Sequence, residues 1–84
     1  MKFFVYLILS KIKNKYISYV GYTNDLTNRI KMHNTSKGAK FTRGKKWKLV
    51  YYKSYTSKKT AMQEEYKLKK DYKFRKLIKI KNGF

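Results

Sequence analysis

The feature that most constrains the fold is an unbroken run of apolar and aromatic side chains at residues 3–9. A strand with one face in solvent alternates apolar and polar residues, and this run shows no such alternation. It therefore predicts a β-strand that is covered on both faces. A chain of 84 residues buries little more than ~60% of the surface that it exposes when unfolded. We therefore expect a single domain, residues 1–84, with a small core.

A secretion signal is the alternative interpretation of this run. The apolar stretch has about the minimum length for such a signal, and Ser10 and Lys11 follow where small cleavage-site residues should lie. No segment approaches the ~18 apolar residues that a membrane-spanning helix requires. The chain also has no cysteine for a disulfide framework or a thiolate zinc site. We expect a soluble cytoplasmic protein with no membrane association.

Periodicity, turn and capping signals divide the remainder of the chain into elements. They predict strands at residues 3–9, 16–22 and 47–56, a helix from about Asp25 to Asn34, a helix from Ser57 to about Tyr72, and a short helix or terminal segment at 74–80. Residues 11–15 predict the turn of an opening hairpin, centred near Asn14. The predicted order is ββαβα with a basic tail.

The charge of the chain indicates the class of partner. Lys and Arg number 23 against 4 Asp and Glu, which gives a net charge of +19. Such a surface concentrates polyanions and repels cationic partners. An AT-rich genome explains the excess of Lys over Arg, but it does not explain the scarcity of acids, because Asp and Glu codons tolerate AT equally. Nucleic acid is the expected partner, ahead of an anionic membrane surface.

One of the few carboxylates lies on an apolar helix face. At helical spacing, Glu65 points in the same direction as Ala61, Leu68 and Tyr72, whereas Glu64 lies towards the edge of that face. A carboxylate that faces a small core requires either a Lys or Arg partner or a divalent cation. An ion pair is the commoner solution for a lone inward Glu. Its position in so basic a chain makes Glu65 a candidate metal ligand.

The first helix places two polar residues beside its apolar stripe. Leu26, Ile30 and His33 share one face, and Arg29 lies one turn from His33. Arg29 is either the partner of Glu65 or a phosphate clamp, because its planar fork matches two phosphate oxygens. A single histidine in this position is more often a satisfied core residue than an acid or base.

Two tyrosines of the predicted hairpin are further candidates. Tyr6 lies in the first strand and Tyr19 in the second. A hairpin centred between Ile12 and Lys13 pairs them directly, whereas a hairpin centred on Asn14 offsets them by three residues. The sequence leaves the register open, and aromatic strand residues most often belong to the core.

Together these residues resemble the GIY-YIG nuclease family, most closely its small stand-alone bacterial members, along essentially the whole chain. The segments that carry the resemblance are VYLI at 5–8, Tyr19-Val20-Gly21, Asn24-Asp25-Leu26 with Arg29 and His33-Asn34, and AMQEEYKLKK at 61–70. The first name-giving triplet is Phe4-Val5-Tyr6 here, so that only its tyrosine carries over. The resemblance implies an α+β fold, with a small three-stranded antiparallel sheet flanked by helices in the order ββαβα(α).

The resemblance also implies roles for the candidate residues. Glu65 would bind one Mg²⁺ or Mn²⁺, and Arg29 would bind the scissile phosphate. Tyr6 would be the general base, assisted by Tyr19 and His33. The identity of the base stays open, because the reference pKa of histidine is closer to neutrality than the value of about 10 for tyrosine.

Two further positions match the pattern of the family. Gly21 is expected to let DNA or the neighbouring helix approach the backbone, and Asn34 receives no role. The loop from Lys37 to Lys46 is similar to a basic loop of the stand-alone members. Its candidate nucleic-acid-binding residues are Lys37, Lys40, Arg43, Lys45 and Lys46, with Phe41 and Trp47 available to stack on an unpaired base. A mobile, solvated loop is the alternative.

The sequence thus predicts a metal-dependent DNA endonuclease that is selective for DNA structure rather than sequence and acts in repair, recombination or mobile-element processing. The alternative is a non-catalytic basic module that binds DNA or structured RNA, with Glu65 paired to Arg29 or to a lysine. The oligomeric state, a monomer or a weak dimer, stays open.

Overall fold

The computed structural model describes residues 1–83. It contains the strands β1 (Phe3–Ile12), β2 (Lys15–Thr23) and β3 (Lys48–Tyr55), the helices α1 (Leu26–Asn34), α2 (Lys58–Lys70) and α3 (Tyr72–Lys81), and a short 3₁₀ turn at Lys40–Thr42. The strands form an antiparallel sheet, and the helices follow in the order ββαβαα. The predicted α+β class is confirmed.

β1 is the central strand of the sheet, which has the order β2-β1-β3. Its residues Val5 to Ser10 are all buried. The prediction that the opening apolar run forms a strand covered on both faces is therefore confirmed, and the strand continues to Ile12.

Two small cores lie on opposite faces of β1, because successive side chains of a strand point to opposite faces. One core contains Val5, Leu7, Val20, Ala61 and Leu68, packed against Phe74 and Ile78 of α3. The other contains Tyr6, Ile8 and Trp47, packed against Tyr19, Leu26, Ile30 and Leu49. Thus α2 and α3 cover one face of the sheet, and α1 covers the other.

The register of the hairpin places the two candidate tyrosines on one face. The strands are joined through a turn at Lys13 and Asn14, in which Lys13 has a φ of 56°. Tyr6 pairs with Gly21, and Tyr19 pairs with Ile8, an offset of two residues that neither predicted register gives. Because an offset of two preserves the face of a strand, both rings lie on the α1 side.

The end of α2 differs from the prediction. The helix ends at Lys70, where Asp71 caps the start of α3 by accepting a hydrogen bond from the Phe74 amide at 3.0 Å. Tyr72 therefore begins a new helix and is 67% exposed. The expectation that Tyr72 shares the buried face of Glu65 is wrong. Among residues 1–83, no helix is long and apolar enough to span a membrane.

Candidate active site

The candidate catalytic residues come from four elements. Tyr6 lies in β1, Tyr19 in β2, Arg29 and His33 in α1, and Glu65 in α2. A capped start fixes the position of α1, because the Asp25 carboxylate accepts a hydrogen bond from the Asn28 amide at 3.2 Å. The helix then turns Leu26 and Ile30 into the core, and His33 follows at helical spacing.

Tyr6 and His33 form a buried hydrogen-bonded pair. The Tyr6 Oη lies 2.7 Å from His33 Nε2, and both side chains are almost wholly excluded from solvent. The Tyr19 ring packs against the same imidazole, with 5.1 Å between the ring centroids. The structure thus brings together three of the residues that the sequence singled out.

Burial keeps both members of this pair neutral at physiological pH. It lowers the pKa of His33 from 6.5 to about 4, and the nearby charge of Arg29 acts in the same direction. It raises the pKa of Tyr6 to about 12, although Arg29 opposes this rise. The charge of Glu65 also raises the pKa of Tyr6, which places this carboxylate within electrostatic range of the pair.

Glu65 lies at the margin of the core. Its side chain is 18% exposed, and its carboxylate is 3.5 Å from the Lys69 ammonium, whose side chain is 52% exposed. The lysine pairing that the sequence left open is therefore present. Because the Lys69 end of this i,i+4 pair is open to solvent, the pair contributes little, on the order of 0.5 kcal/mol. Such a pair leaves the carboxylate able to exchange its partner for a cation.

Arg29 is not the partner of Glu65. Within residues 1–83, no ion pair of up to 4.0 Å joins the Arg29 guanidinium to a carboxylate. The side chain is half-buried and borders an open groove with Lys58 and Tyr22. The bidentate pair required by one form of the non-catalytic alternative is absent from this part of the chain.

The donor set suits a hard cation that keeps most of its water. In the described part of the chain, no group of three or more His, Asp and Glu side chains could hold a metal. A zinc site would need such a group. Mg²⁺ is commonly bound by one or two carboxylates together with waters and substrate oxygens. The single, partly exposed carboxylate of Glu65 fits that pattern.

Gly21 makes room for Tyr6. A Cβ atom at Gly21 would overlap the Tyr6 hydroxyl and lie 2.6 Å from Tyr6 Cζ. The tyrosine ring therefore lies over its cross-strand partner, which only glycine allows. The expectation that Gly21 admits DNA or a helix is corrected: the group that approaches its backbone most closely is the Tyr6 side chain.

The basic loop between α1 and β3 is tied to the core. Thr42 is fully buried, and its hydroxyl lies 2.8 Å from His33 Nδ1. The Trp47 indole donates to the Thr42 carbonyl at 2.9 Å. The Asn34 side chain clamps the backbone of Trp47, accepting from its amide at 2.6 Å and donating to its carbonyl at 3.1 Å. The loop thus has fixed contacts with α1 instead of lying free in solvent.

Sequence reasoning missed three residues that hold this site together: Gly38, Thr42 and Asn34. A Cβ at Gly38 would overlap His33 Nδ1 and lie 3.0 Å from His33 Cα. The position of Asn34 directly after His33 was the one available signal, because an amide at a helix end commonly bonds to nearby backbone. Gly38 and Thr42 both lie in the segment KGAKFTRG at 37–44, which is similar to the loop of the stand-alone members, but that similarity assigned no role to either residue.

The predicted nucleic-acid-binding residues lie mostly on the surface. The exposed ones are Lys37, Lys40, Arg43 and Lys46. Lys45 is half-buried, and its ammonium donates to the Phe41 carbonyl at 3.0 Å. Phe41 is 53% exposed and stacks on Tyr19 with an interplanar angle of 21°. Trp47 is only 5% exposed, so the expectation that it stacks on a base is wrong.

Comparison with known sequences decides the family. The family model described as "GIY-YIG catalytic domain" matches residues 2–78. The chain belongs to the GIY-YIG family. Its fold is therefore a GIY-YIG nuclease domain, and the predicted resemblance is confirmed.

Relatives of the same kind occur in several bacteria. A UPF0213 protein of Oceanobacillus iheyensis is 50% identical over 60 residues, which cover 70% of each chain. A UPF0213 protein of Staphylococcus epidermidis is 37% identical over 83 residues, or 98% of each chain. Against the UPF0213 protein YazA of Bacillus subtilis, the identity is 49% over 62% of this chain, and the alignment spans only 54% of YazA.

A solved structure supports the fold. The solution NMR structure of the UPF0213 protein BH0048 from Bacillus halodurans is 40% identical, with a TM-score of 0.50. The similarity covers 99% of this chain and 88% of that one. The GIY-YIG domain thus accounts for nearly all of the architecture described above.

Proposed function

We propose that this protein is a metal-dependent DNA endonuclease that hydrolyses phosphodiester bonds. The observation that supports the proposal most strongly is the buried Tyr6–His33 pair, which lies within electrostatic range of Arg29 and Glu65 in a member of a nuclease family. Each of these side chains has one role in the proposed reaction, which is to hold the phosphate, to take a proton or to bind a cation.

Arg29 holds the scissile phosphate. Its guanidinium lacks a carboxylate partner within the described residues 1–83 and borders an open groove. The planar fork of an arginine matches two non-bridging oxygens of a phosphate. The same cation neutralises charge that develops on these oxygens as the water attacks.

The Tyr6–His33 pair takes a proton from the attacking water. The water oxygen bonds to phosphorus, the water proton passes to the pair, and the 3′ oxygen leaves with the electron pair of its bond and takes a proton from solvent. With pKa values of about 12 and about 4, the hydroxyl proton stays on Tyr6 in the free protein. The hydroxyl proton therefore passes to His33 Nε2 only as the Tyr6 oxygen accepts the proton of the attacking water in the DNA complex, so that no free phenolate forms. The bound phosphate stabilises the resulting imidazolium.

Glu65 would hold the divalent cation, Mg²⁺ or Mn²⁺. When bound, such a cation supplies charge neutralisation on the phosphate and its leaving oxygen. Lys69 occupies the carboxylate at 3.5 Å in the free protein. Because Lys69 lies one turn along α2 with an exposed side chain, it can turn away into solvent when the cation binds.

The loop supplies general affinity for DNA. Its exposed cations lie on the loop that covers His33. Phe41 adds an exposed ring, stacked on Tyr19, that can receive an unpaired base. Because Tyr19 also packs on His33, this exposed ring lies close to the Tyr6–His33 pair and favours branched or frayed DNA over an intact duplex. An intracellular role in repair, recombination or mobile-element processing would use this preference.

Helix α2 offers a matched pair of variants for the decisive experiment. Glu65→Gln removes the proposed cation ligand, and Glu64→Gln removes the adjacent carboxylate, which pairs with Lys67 at 3.4 Å. We expect wild type and Glu64→Gln to cleave branched DNA in Mg²⁺ but not in EDTA. We expect Glu65→Gln to bind the DNA and leave it intact. Equal cleavage by both variants, or none by wild type on branched, nicked and linear substrates, contradicts the proposal.

The Glu65–Lys69 contact favours a second candidate, a basic module that binds DNA or structured RNA without cleaving it. In that case the lysine is the permanent partner of the carboxylate. Tight binding of structured RNA, together with no nicking of any DNA in Mg²⁺ or Mn²⁺, would select this candidate.

A further inference from the structure

Three hydrogen bonds connect the sheet to the basic loop through His33. The Tyr6 hydroxyl lies 2.7 Å from His33 Nε2, and the opposite ring nitrogen, Nδ1, lies 2.8 Å from the Thr42 hydroxyl. The Thr42 hydroxyl is in turn 2.7 Å from the Ala39 carbonyl oxygen. The side chains of Tyr6, His33 and Thr42 are all buried, so water does not compete for these bonds.

The hydrogen bond between the Thr42 hydroxyl and the Ala39 carbonyl fixes the direction of the other two. A carbonyl oxygen can only accept, and a threonine hydroxyl has a single hydrogen, so Thr42 donates that hydrogen to Ala39. The Thr42 oxygen then has only lone pairs to offer to His33. Therefore His33 Nδ1 carries the proton and donates. In a neutral imidazole the other nitrogen, Nε2, is then unprotonated and accepts from Tyr6.

We propose that Thr42 is a positioning residue that holds His33 in the Nδ1–H tautomer. In this tautomer the Tyr6 hydrogen is directed at His33, and a lone pair of the Tyr6 oxygen, which also lies within reach of the Arg29 guanidinium, is left for the attacking water. The opposite tautomer would donate from Nε2 to the Tyr6 oxygen and leave the pair unable to take a proton. The catalytic part of this inference rests on the proposed nuclease function.

The hydroxyl of Thr42 is not the only anchor of the loop. The backbone carbonyl of Thr42 already accepts the Trp47 indole at 2.9 Å, and Asn34 holds the Trp47 backbone. Thr42→Val keeps the carbonyl and the branched shape but loses the acceptor. Thr42→Ser keeps the acceptor and loses a methyl group. This pair of variants therefore separates the effect of the hydroxyl from the effect of packing.

The chain contains one histidine, so its imidazole nitrogens can be observed without ambiguity. We would record the ¹⁵N signals of His33 in the labelled full chain at pH 7.5. Wild type and Thr42→Ser should show a protonated, pyrrole-type Nδ1 and an unprotonated, pyridine-type Nε2. In Thr42→Val this pattern should be lost, because Nδ1 no longer has an acceptor. A protonated Nε2 in wild type, or an unchanged pattern in Thr42→Val, overturns the inference.

Cleavage of branched DNA gives a second readout, with Thr35→Val as the control. The Thr35 hydroxyl donates to the Lys31 carbonyl at 2.9 Å at the exposed end of α1, so its bond is made to the helix backbone and not to the His33 ring. Thr42→Val should lose ~10²-fold in single-turnover rate, the lower range for general base catalysis, and keep its DNA affinity. Thr42→Ser and Thr35→Val should stay near wild type. If Thr42→Val shows the changed nitrogen pattern but cleaves at a rate close to wild type, the catalytic role of Thr42 is overturned. The assignment of the His33 tautomer then still holds.

The two proposals fail in different ways. If wild type cleaves no DNA, the nuclease proposal fails, and the nitrogen signals still decide whether Thr42 fixes the tautomer. If wild type cleaves DNA and His33 carries its proton on Nε2, the nuclease proposal stands and the positioning role of Thr42 is refuted.

Discussion

Acidification should destabilise this protein through His33. The pKa of this residue falls from 6.5 to about 4 on folding, chiefly because it is buried. Between these two values the unfolded chain binds a proton that the folded protein does not. The contribution of His33 to the free energy of unfolding is therefore fully present above pH 6.5 and decreases as the pH falls towards 4. Lowering the pH from 7.5 to 5.0 should cost about 2 kcal/mol from this residue alone.

Urea unfolding at these two pH values measures the effect. For a small protein, a loss of this size lowers the midpoint by about 1–2 M urea. The chain has one histidine and only 4 Asp and Glu residues, so few other groups contribute over this range. His33→Gln, which cannot titrate, should unfold at midpoints that depend much less on pH. Equal midpoints of wild type at pH 7.5 and 5.0 would contradict this prediction. An equal change of the midpoint with pH in wild type and in His33→Gln would also contradict it. The ¹⁵N titration of His33 gives its pKa directly and provides an independent check.

Three further substitutions have defined outcomes. Gly21→Ala places a methyl group against the Tyr6 ring, and it should lower the unfolding free energy by roughly 1–3 kcal/mol and reduce cleavage. Asn34→Ala removes both side-chain bonds to the Trp47 backbone and should cost roughly 1–3 kcal/mol in urea unfolding. Phe41→Ala should weaken binding of DNA with an unpaired base by ~1–3 kcal/mol in a fluorescence titration, with intact duplex unaffected.

Each of these substitutions has a control or a contradicting result. An added Cβ at Gly44 would meet no atom within 4 Å, and asparagine is among the residues that best tolerate its φ of +73°, so Gly44→Asn should cost less stability than Gly21→Ala. Asn28→Ala removes a long side-chain contact with a methionine sulfur and should cost much less than Asn34→Ala. Equal losses of affinity for duplex and unpaired DNA in Phe41→Ala would contradict the stacking role.

The sequence predicted the elements of the fold because their signals are local. The apolar run at the start of the chain indicates the central strand without knowledge of its neighbours. Asp25 and Ser57 mark the starts of α1 and α2 as capping residues, and both accept the expected backbone hydrogen bond. The break after Lys70 was missed because the helical pattern continues through Asp71. Asp71 ends one helix and begins the next, which its identity alone does not show.

The orientation of a site side chain could be predicted from the sequence only where the residue lies on a helix, because helix geometry fixes the direction of its side chain. Glu65 and His33 lie at positions in the helical repeat that turn them towards the core; His33 is fully buried, and Glu65 reaches only the margin of the core. The alignment of Tyr6 with His33 depends on strand register, which a turn of two residues decides. The bond from Thr42 to His33 depends on the path of an irregular loop. No periodicity describes such a loop, so this part of the site is visible only in the structure.

The central claim is that Tyr6, held by His33, takes a proton from the water that cleaves DNA. The most direct measurement is the single-turnover cleavage rate of Tyr6→Phe on branched DNA in Mg²⁺, because this change removes one oxygen atom and keeps the ring over Gly21. We predict unchanged DNA affinity and a rate reduced by ~10² or more. A Tyr6→Phe variant that cleaves as fast as wild type contradicts it.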